Sequence, residues 1–240
     1  MPFFISSHIE IFPHPFLANE EGFLAICNDL SPERMLMAYQ FGIFPWYSEG
    51  DPVYWFFTSP RCVLRPSKVK ISKSMRSYFN QNKFQVSFDT EFHKVLKHCR
   101  DIPRYGQAGT WLTNDLMQSL LKLHEMGFAH SVEVWEKNEL IGGLYGLSIG
   151  KIFYGESMFT HKANASKFGF ITLCKALESK GYTLIDCQQE TNHLLSLGAY
   201  TIPKEEFLAI LKQNSFEESQ AYKWTEWANT PTTYKIIKSK

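Results

Sequence analysis

Residues 113–197 carry the most regular hydrophobic pattern of the chain. Apolar residues recur at helical spacing in three segments, alternate with polar or small residues in three others, and form one short continuous run. The pattern predicts a helix capped by Thr113 or Asn114 and closed by Gly127, strands over 130–135, 139–147 and 152–159, a helix capped by Asn164 or Ser166 and closed by Gly181, a strand over 182–187 and a short helix over 191–197. A meander between helices is typical of a mixed α/β domain.

The first hundred residues predict a smaller set of elements. A Ser-Pro pair at 31–32 is typical of a helix cap and first turn, and this helix ends by residue 42. Further predicted elements are a strand over 69–72, a helix over 74–80, a strand over 84–88 and a helix over 90–100. Residues 101–109 contain Asp, Pro and two Gly and predict a loop. We therefore expect a small N-terminal α/β domain over 1–105 and a second domain over 106–240.

Composition is that of an ordinary globular protein, with 44% hydrophobic and 20% charged residues. No apolar run approaches the ~18 residues that a membrane span needs, and the first residues do not form a secretion signal. The five cysteines are scattered and contain no C-x-x-C pair. We therefore expect reduced thiols in a cytoplasm rather than disulfides or zinc.

The charge is distributed unevenly, although the net charge is only +1. Residues 61–104 hold eleven Lys or Arg and three Asp or Glu, which makes this segment +8 and the remainder −7. Such a segment can present a basic face to phosphates. A solvated basic surface without a ligand is the simpler interpretation.

An aromatic cluster precedes the basic segment. Its seven members are Phe44, Trp46, Tyr47, Tyr54, Trp55, Phe56 and Phe57. Such a cluster is typical of a small hydrophobic core. Next to a basic segment it also suits the stacking of unpaired bases, for which we select Trp46.

Eight short blocks in one order along the chain carry a family resemblance. They are AYQFGIFPWY (38–47), GTW (109–111), AHSVEVW (129–135), GGLYG (142–146), GESMF (155–159), NASK (164–167), IDCQ (185–188) and HLLSLGA (193–199). They are similar to the blocks of the leucyl/phenylalanyl-tRNA–protein transferase family, and the resemblance covers about residues 28–210. The chain departs from the usual WWSP-x-PR pattern at 55–61, which reads WFFTSPR.

The order of predicted elements resembles the acetyltransferase-like (GNAT) fold, with a mixed, mostly antiparallel sheet. That fold usually binds coenzyme A through a loop of Q/R-x-x-G-x-G type at a helix start. Here the corresponding residues 160–169 read THKANASKFG and lack this glycine pattern. We therefore expect a donor other than coenzyme A.

The family resemblance implies an aminoacyltransferase that needs no cofactor and no metal. It would move leucine or phenylalanine, and in some cases methionine, from aminoacyl-tRNA to the N-terminal α-amino group of proteins beginning with Arg or Lys, which marks them for N-degron proteolysis. Its partners would be aminoacyl-tRNA and these acceptor proteins or peptides. We expect a cytoplasmic monomer without membrane contact.

The resemblance implies that Asp186 and Gln188 carry the catalysis. They share the parity of one strand, so an extended chain projects both to one side. Gln188 would accept a hydrogen bond from the attacking amine, while Asp186 would polarise or orient it. An aminoacyl ester is already activated, so no strong base is required. Without the family, Asp186 would be interpreted as a turn residue or helix cap at the strand end.

The substrate-binding residues also follow from the resemblance. Glu156 would bind either the α-ammonium group of the donor or the first side chain of the acceptor, and both uses remain open. Trp46 and Trp111 would enclose the terminal adenine, with Phe153 lining the same site. The candidates for an unbranched apolar donor pocket are Leu144, Met158, Phe170, Leu173 and Ile185. Each of these five also suits plain core packing.

Two rival functions remain from the sequence. One is an acyl-coenzyme A-dependent N-acyltransferase of the same fold, which binding of acetyl-coenzyme A would favour. The other is a tRNA-binding module without catalysis, which would bind tRNA in a salt-sensitive manner, form no product and be indifferent to Asp186→Ala.

Overall fold

The computed structural model describes residues 2–6, 11–102, 110–219 and 221–229. The strands in these residues are β1 Phe3–Phe4, β2 Phe23–Ile26, β3 Phe44–Pro45, β4 Tyr54–Phe56, β5 Arg61–Leu64, β6 Gln85–Phe88, β7 Ala129–Glu136, β8 Glu139–Ile149, β9 Ile152–Thr160, β10 Leu184–Gln188 and β11 Tyr200–Ile202. The α-helices are α1 Pro32–Gln40, α2 Lys73–Asn80, α3 Phe92–Asp101, α4 Asn114–Glu125, α5 Ala165–Ser179, α6 Asn192–Ser196 and α7 Lys204–Asn214. Short 3-10 helices lie at Pro15–Leu17, Pro66–Lys68 and Thr225–Asn229.

The strands form two mixed sheets. The smaller sheet has the order β1-β2-β4-β3, and the larger has the order β11-β5-β10-β9-β8-β7-β6. In the larger sheet β9 and β10 pair in parallel across helix α5, while the other neighbouring strands are antiparallel. This confirms the predicted mixed α/β fold with a mostly antiparallel sheet. Within the described residues no helix is long and apolar enough to cross a membrane.

The periodic half of the chain folds as its pattern predicts. The meander forms β7, β8 and β9, and the helices before and after it are α4 and α5. The side chain of Thr113 caps α4 by accepting a hydrogen bond from the Leu116 N–H. The prediction of a strand over 69–72 is wrong, because these residues follow a 3-10 helix and belong to neither sheet of the described structure. The Lys70 N–H donates to Leu197 O. Strands of two to four residues, such as β1 and β3, are too short for a periodic signal.

The predicted boundary at 105/106 does not coincide with the division between the sheets. Strands β5 and β6 both precede residue 105, yet they lie in the larger sheet. The smaller sheet ends with β4 at Phe56, so the chain enters the larger sheet at Arg61. The loop predicted over 101–109 falls mostly on residues 103–109, which lie outside the described residues.

The aromatic cluster is largely a core, but Trp46 is an exception. Trp55 is fully buried, and its indole N–H donates to Cys27 O at 2.9 Å. Phe44, Tyr47 and Phe57 are also buried. Trp46 is 39% exposed at the end of β3, where its ring remains available to a ligand. The core interpretation therefore holds for the four buried rings, Tyr54 and Phe56 are half-buried, and Trp46 is the exposed member of the cluster.

Candidate active site

Residues from both sheets line a cavity of about 350 Å³. The lining is mostly apolar, with a few polar side chains at one wall. The lining residues are Phe44, Pro45, Trp46, Trp111, Leu144, Tyr145, Phe153, Gly155, Glu156, Ser157, Met158, Phe170, Ile185, Cys187, Gln188, Gln189, Thr191, His193 and Leu194. An apolar cavity with a few converging polar groups is the usual form of a small-molecule binding site.

Two β-bulges on neighbouring strands bring the polar groups together. In β9, Gly155 and Ser157 face successive residues of β8, so Glu156 is an extra residue in the ladder. In β10, the pairing with β5 skips Cys187, and the next residue, Gln188, has φ = 60°. A bulge turns a side chain away from the regular alternation of its strand. As a result the Gln188 side-chain Nε2 donates to Glu156 Oε1 at 2.8 Å.

The surroundings of Glu156 favour its neutral form. Burial raises the pKa of Glu156 from 4.5 to about 8, and the nearby charge of Asp186 acts in the same direction. The Tyr39 hydroxyl, the Arg61 guanidinium and the Gln188 amide act in the opposite direction, but burial outweighs them. At neutral pH this carboxyl group is therefore mostly protonated.

Asp186 lies behind the cavity wall rather than in it. Its side chain is fully buried and forms two bonds to Arg61, from Nε to Oδ1 at 2.8 Å and from Nη2 to Oδ2 at 2.6 Å. Asp186 Oδ1 also accepts the backbone N–H of Gln188 at 2.9 Å. Of the predicted catalytic pair, only Gln188 reaches the cavity, because the bulge after Asp186 ends the simple alternation on which the prediction relied.

Arg61 is an exception to the basic face expected from residues 61–104, because it is buried. It is 1% exposed, donates to Gly42 O at 2.9 Å and lies over the rings of Phe44 and Phe207 at 5.0 and 4.8 Å. Its charge is therefore matched internally and does not contribute to a phosphate-binding face. The other described basic residues of the segment, apart from the half-buried Arg100, are exposed: Arg65, Lys68, Lys70, Lys73, Arg76, Lys83, Lys94 and Lys97.

The structure brings together all but one of the predicted substrate-binding residues. Those that line the cavity are Trp46, Trp111, Leu144, Phe153, Glu156, Met158, Phe170 and Ile185. Leu173 does not line it and is fully buried in the core around α5. Helix α5 is buried on nearly all sides, so apolar spacing alone could not separate cavity residues from core residues.

Sequence reasoning missed the wall formed around α6. Thr191, His193 and Leu194 line the cavity there, and Thr191 caps the helix by accepting the Leu194 N–H at 3.2 Å. The Nε2 atom of His193 is buried without a hydrogen-bond partner among the described residues. The signal for this wall in the sequence is the block HLLSLGA, which lies on the short helix predicted over 191–197. A mixed α/β fold with this cavity, in which a carboxyl and a carboxamide group meet beside an apolar pocket, fits a protein that binds a small apolar substrate group next to hydrogen-bonding groups.

Comparisons with known proteins identify the family. A family model described as leucyl/phenylalanyl-tRNA protein transferase matches residues 63–212, and the model of its N-terminal domain matches 28–59. The leucyl/phenylalanyl-tRNA–protein transferase of Myxococcus xanthus is 46% identical over 230 residues, covering 95% of this chain and 98% of that protein. The one of Christiangramia forsetii is 54% identical over 204 residues, covering 84% and 96%. The chain belongs to the leucyl/phenylalanyl-tRNA protein transferase family.

Among solved structures, L-PGS from Bacillus licheniformis matches with a TM-score of 0.40 and 14% identity, covering 72% of this chain and 56% of that one.

Proposed function

We propose that this chain transfers leucine or phenylalanine from aminoacyl-tRNA to the N-terminal amino group of proteins that begin with Arg or Lys. The hydrogen-bonded pair of Gln188 and Glu156 in the lining of an apolar cavity carries this proposal. The names of the relatives support the donor and the protein acceptor. A carboxyl group in a partly enclosed site supports a cationic first residue in the acceptor.

The donor side chain occupies the apolar part of the cavity. A volume of about 350 Å³ accommodates one leucine or phenylalanine side chain with part of the adjoining nucleoside. Met158 adapts to either shape, because its thioether chain is flexible. Trp46 and Trp111 offer ring faces to the terminal adenine, and the exposed lysines and arginines of residues 65–97 offer charges to the phosphates.

Gln188 orients the attacking amine. Its Nε2 atom already donates to Glu156, which directs the carbonyl oxygen of the same amide to an N–H of the acceptor. The amine nitrogen attacks the ester carbonyl, the C–N bond forms and the C–O bond to the ribose breaks, with the proton passing to the leaving 3′-oxygen. A free α-amino group has a pKa of about 7.7–8.0, so enough of it is neutral without a strong base.

Asp186 acts through Gln188 rather than on the substrate. Its carboxylate accepts the Gln188 N–H and is itself held by Arg61. A non-glycine residue at φ = 60° is conformationally costly, and this hydrogen bond stabilises it. Asp186 is therefore a positioning residue in this proposal.

Glu156 binds a substrate cation. A positive charge beside it lowers its pKa from about 8, so binding couples to ionisation of the carboxyl group. Glu156→Gln removes the charge but keeps the size of the side chain. An increase in KM confined to the acceptor peptide would assign the cation to the acceptor side chain. An increase confined to aminoacyl-tRNA would assign it to the donor ammonium group.

We also propose that the protein works as a cytoplasmic monomer. Its five cysteines are free, which fits a reducing compartment.

The test is the transfer of labelled leucine from Leu-tRNA to a peptide beginning with Arg, beside the same peptide with an acetylated N-terminus. We expect label in the free peptide only, lost after ribonuclease treatment. Gln188→Ala should lower the rate by about 100-fold, because it removes the amine-orienting oxygen. Gln85→Ala, which truncates an exposed glutamine in β6, is the matched control and should leave the rate unchanged.

Two outcomes would refute the proposal. Transfer of an acetyl group from acetyl-coenzyme A, with none from Leu-tRNA, would support the N-acyltransferase. Salt-sensitive tRNA binding without any product would support a non-catalytic RNA-binding module.

A further inference from the structure

The C-terminal segment over 221–229 inserts a tryptophan into the core beside the donor cavity. Trp224 is fully buried, and its backbone N–H donates to Asp89 Oδ2 at 2.7 Å. Its ring is stacked between His130, at 3.7 Å between centroids, and Trp227, at 4.0 Å. The family model ends at residue 212, so this segment lies beyond the part of the chain that it describes. Trp224 is thus held from both faces and by its backbone.

Phe153 separates Trp224 from the cavity. The Phe153 ring lines the cavity beside Ile185, with which it pairs between β9 and β10, so it belongs to the apolar donor wall and not to the adenine site expected from the sequence. Its centroid lies 5.7 Å from the centroid of Trp224, which does not line the cavity. On another side the ring lies against Gly146, where a β-carbon would come within 2.6 Å of Phe153 Cζ. The Phe153 ring is therefore wedged between a glycine of β8 and the indole behind it. The Phe153 ring therefore cannot move away from the cavity while both neighbours are in place.

We propose that Trp224 is a positioning residue that sets the depth of the donor side-chain pocket by holding Phe153 in place, and so sets the preference between leucine and phenylalanine. The inference rests on the proposed function, because it concerns the side chain of the donor. Interiors are close-packed, so removing the indole leaves a void that the Phe153 ring can enter. The pocket then becomes deeper, which favours the longer phenylalanine side chain.

The experiment compares kcat/KM for Phe-tRNA with kcat/KM for Leu-tRNA in a set of variants. Trp224→Ala should raise this ratio by about tenfold, the scale of discrimination that one or two methylene groups give in an apolar pocket. Trp227→Ala is the matched control: it removes an equal ring from the same stack, but the described ring contacts of Trp227 do not include Phe153. It should lower the melting temperature and leave the ratio unchanged.

A double variant tests whether Trp224 acts through Phe153. Phe153→Leu should itself raise the ratio, and adding Trp224→Ala to it should raise the ratio little further, since coupled residues are not additive. If Trp224→Ala does not fold, Trp224→Phe serves in its place and should shift the ratio in the same direction by less.

Three results would overturn the inference. They are an unchanged ratio in folded Trp224 variants, an equal shift in Trp227→Ala, and full additivity with Phe153→Leu. Absence of transfer by the unaltered chain with either donor would instead refute the proposed function on which the inference rests.

Discussion

The buried ion pair between Arg61 and Asp186 gives the sharpest prediction about stability. The two side chains are 1% and 0% exposed and are joined by bonds of 2.8 and 2.6 Å. Asp186→Ala leaves the guanidinium with Gly42 O, the Thr58 hydroxyl and three aromatic rings, none of which carries a negative charge. Removing one partner of a buried pair costs about 3–5 kcal/mol, so we expect a loss of that size in the free energy of unfolding.

Replacing both members of the ion pair separates the effect on stability from the effect on activity. Replacing both side chains with leucine removes the unpaired charge, so the double variant should recover most of the lost stability. It should not recover transfer, because the Gln188 N–H has no acceptor in either variant. Urea unfolding followed by tryptophan fluorescence, together with the leucine transfer assay, measures both quantities. A change below about 1 kcal/mol in Asp186→Ala would refute the reasoning, since a buried charge would then be unpaired at no cost.

Three further predictions concern the pocket and its walls. The pKa of Glu156, raised by burial to about 8, means that the folded state alone holds a proton between pH 4.5 and 8, so its contribution to stability falls as pH rises through that window. The melting temperatures of the wild type and of Glu156→Gln should therefore depend differently on pH between 4.5 and 8. The same pH dependence in both proteins would contradict the prediction. Gly146→Ala should destabilise the fold severely, because its β-carbon would lie 2.1 Å from Tyr154 O; normal soluble yield and melting temperature would show the opposite. Leu173→Ala should cost about 2–5 kcal/mol in unfolding without changing donor preference, whereas Leu144→Ala should change that preference.

The local pattern determines most of the larger sheet. The meander β7–β9 and the helices α4 and α5 follow from apolar spacing and caps, because hydrophobic periodicity and capping act over one or two turns of chain. The apolar cavity residues were identified through the family resemblance rather than through spacing. Leu173 is the one predicted member of the donor pocket that does not line the cavity. It lies on helix α5, whose buried faces the sequence cannot distinguish.

The chemistry of the site depends on tertiary structure. Glu156 and Cys187 are bulged residues, and a bulge is defined by the register between two strands, which neither strand contains alone. Arg61 pairs with Asp186 across 125 residues of sequence, so its place in a basic segment suggested a surface charge instead.

Packing between distant segments also brings Trp224 and Trp46 to the site. Trp224 reaches Phe153 only because the C-terminal segment docks on Asp89, and Trp46 reaches the cavity only because the smaller sheet packs on the larger one. By itself, the sequence determined the longer helices and strands between residues 113 and 197 and the family. Only the tertiary structure decided which side chains share the cavity, because contacts between distant residues arise from packing and register rather than from local spacing.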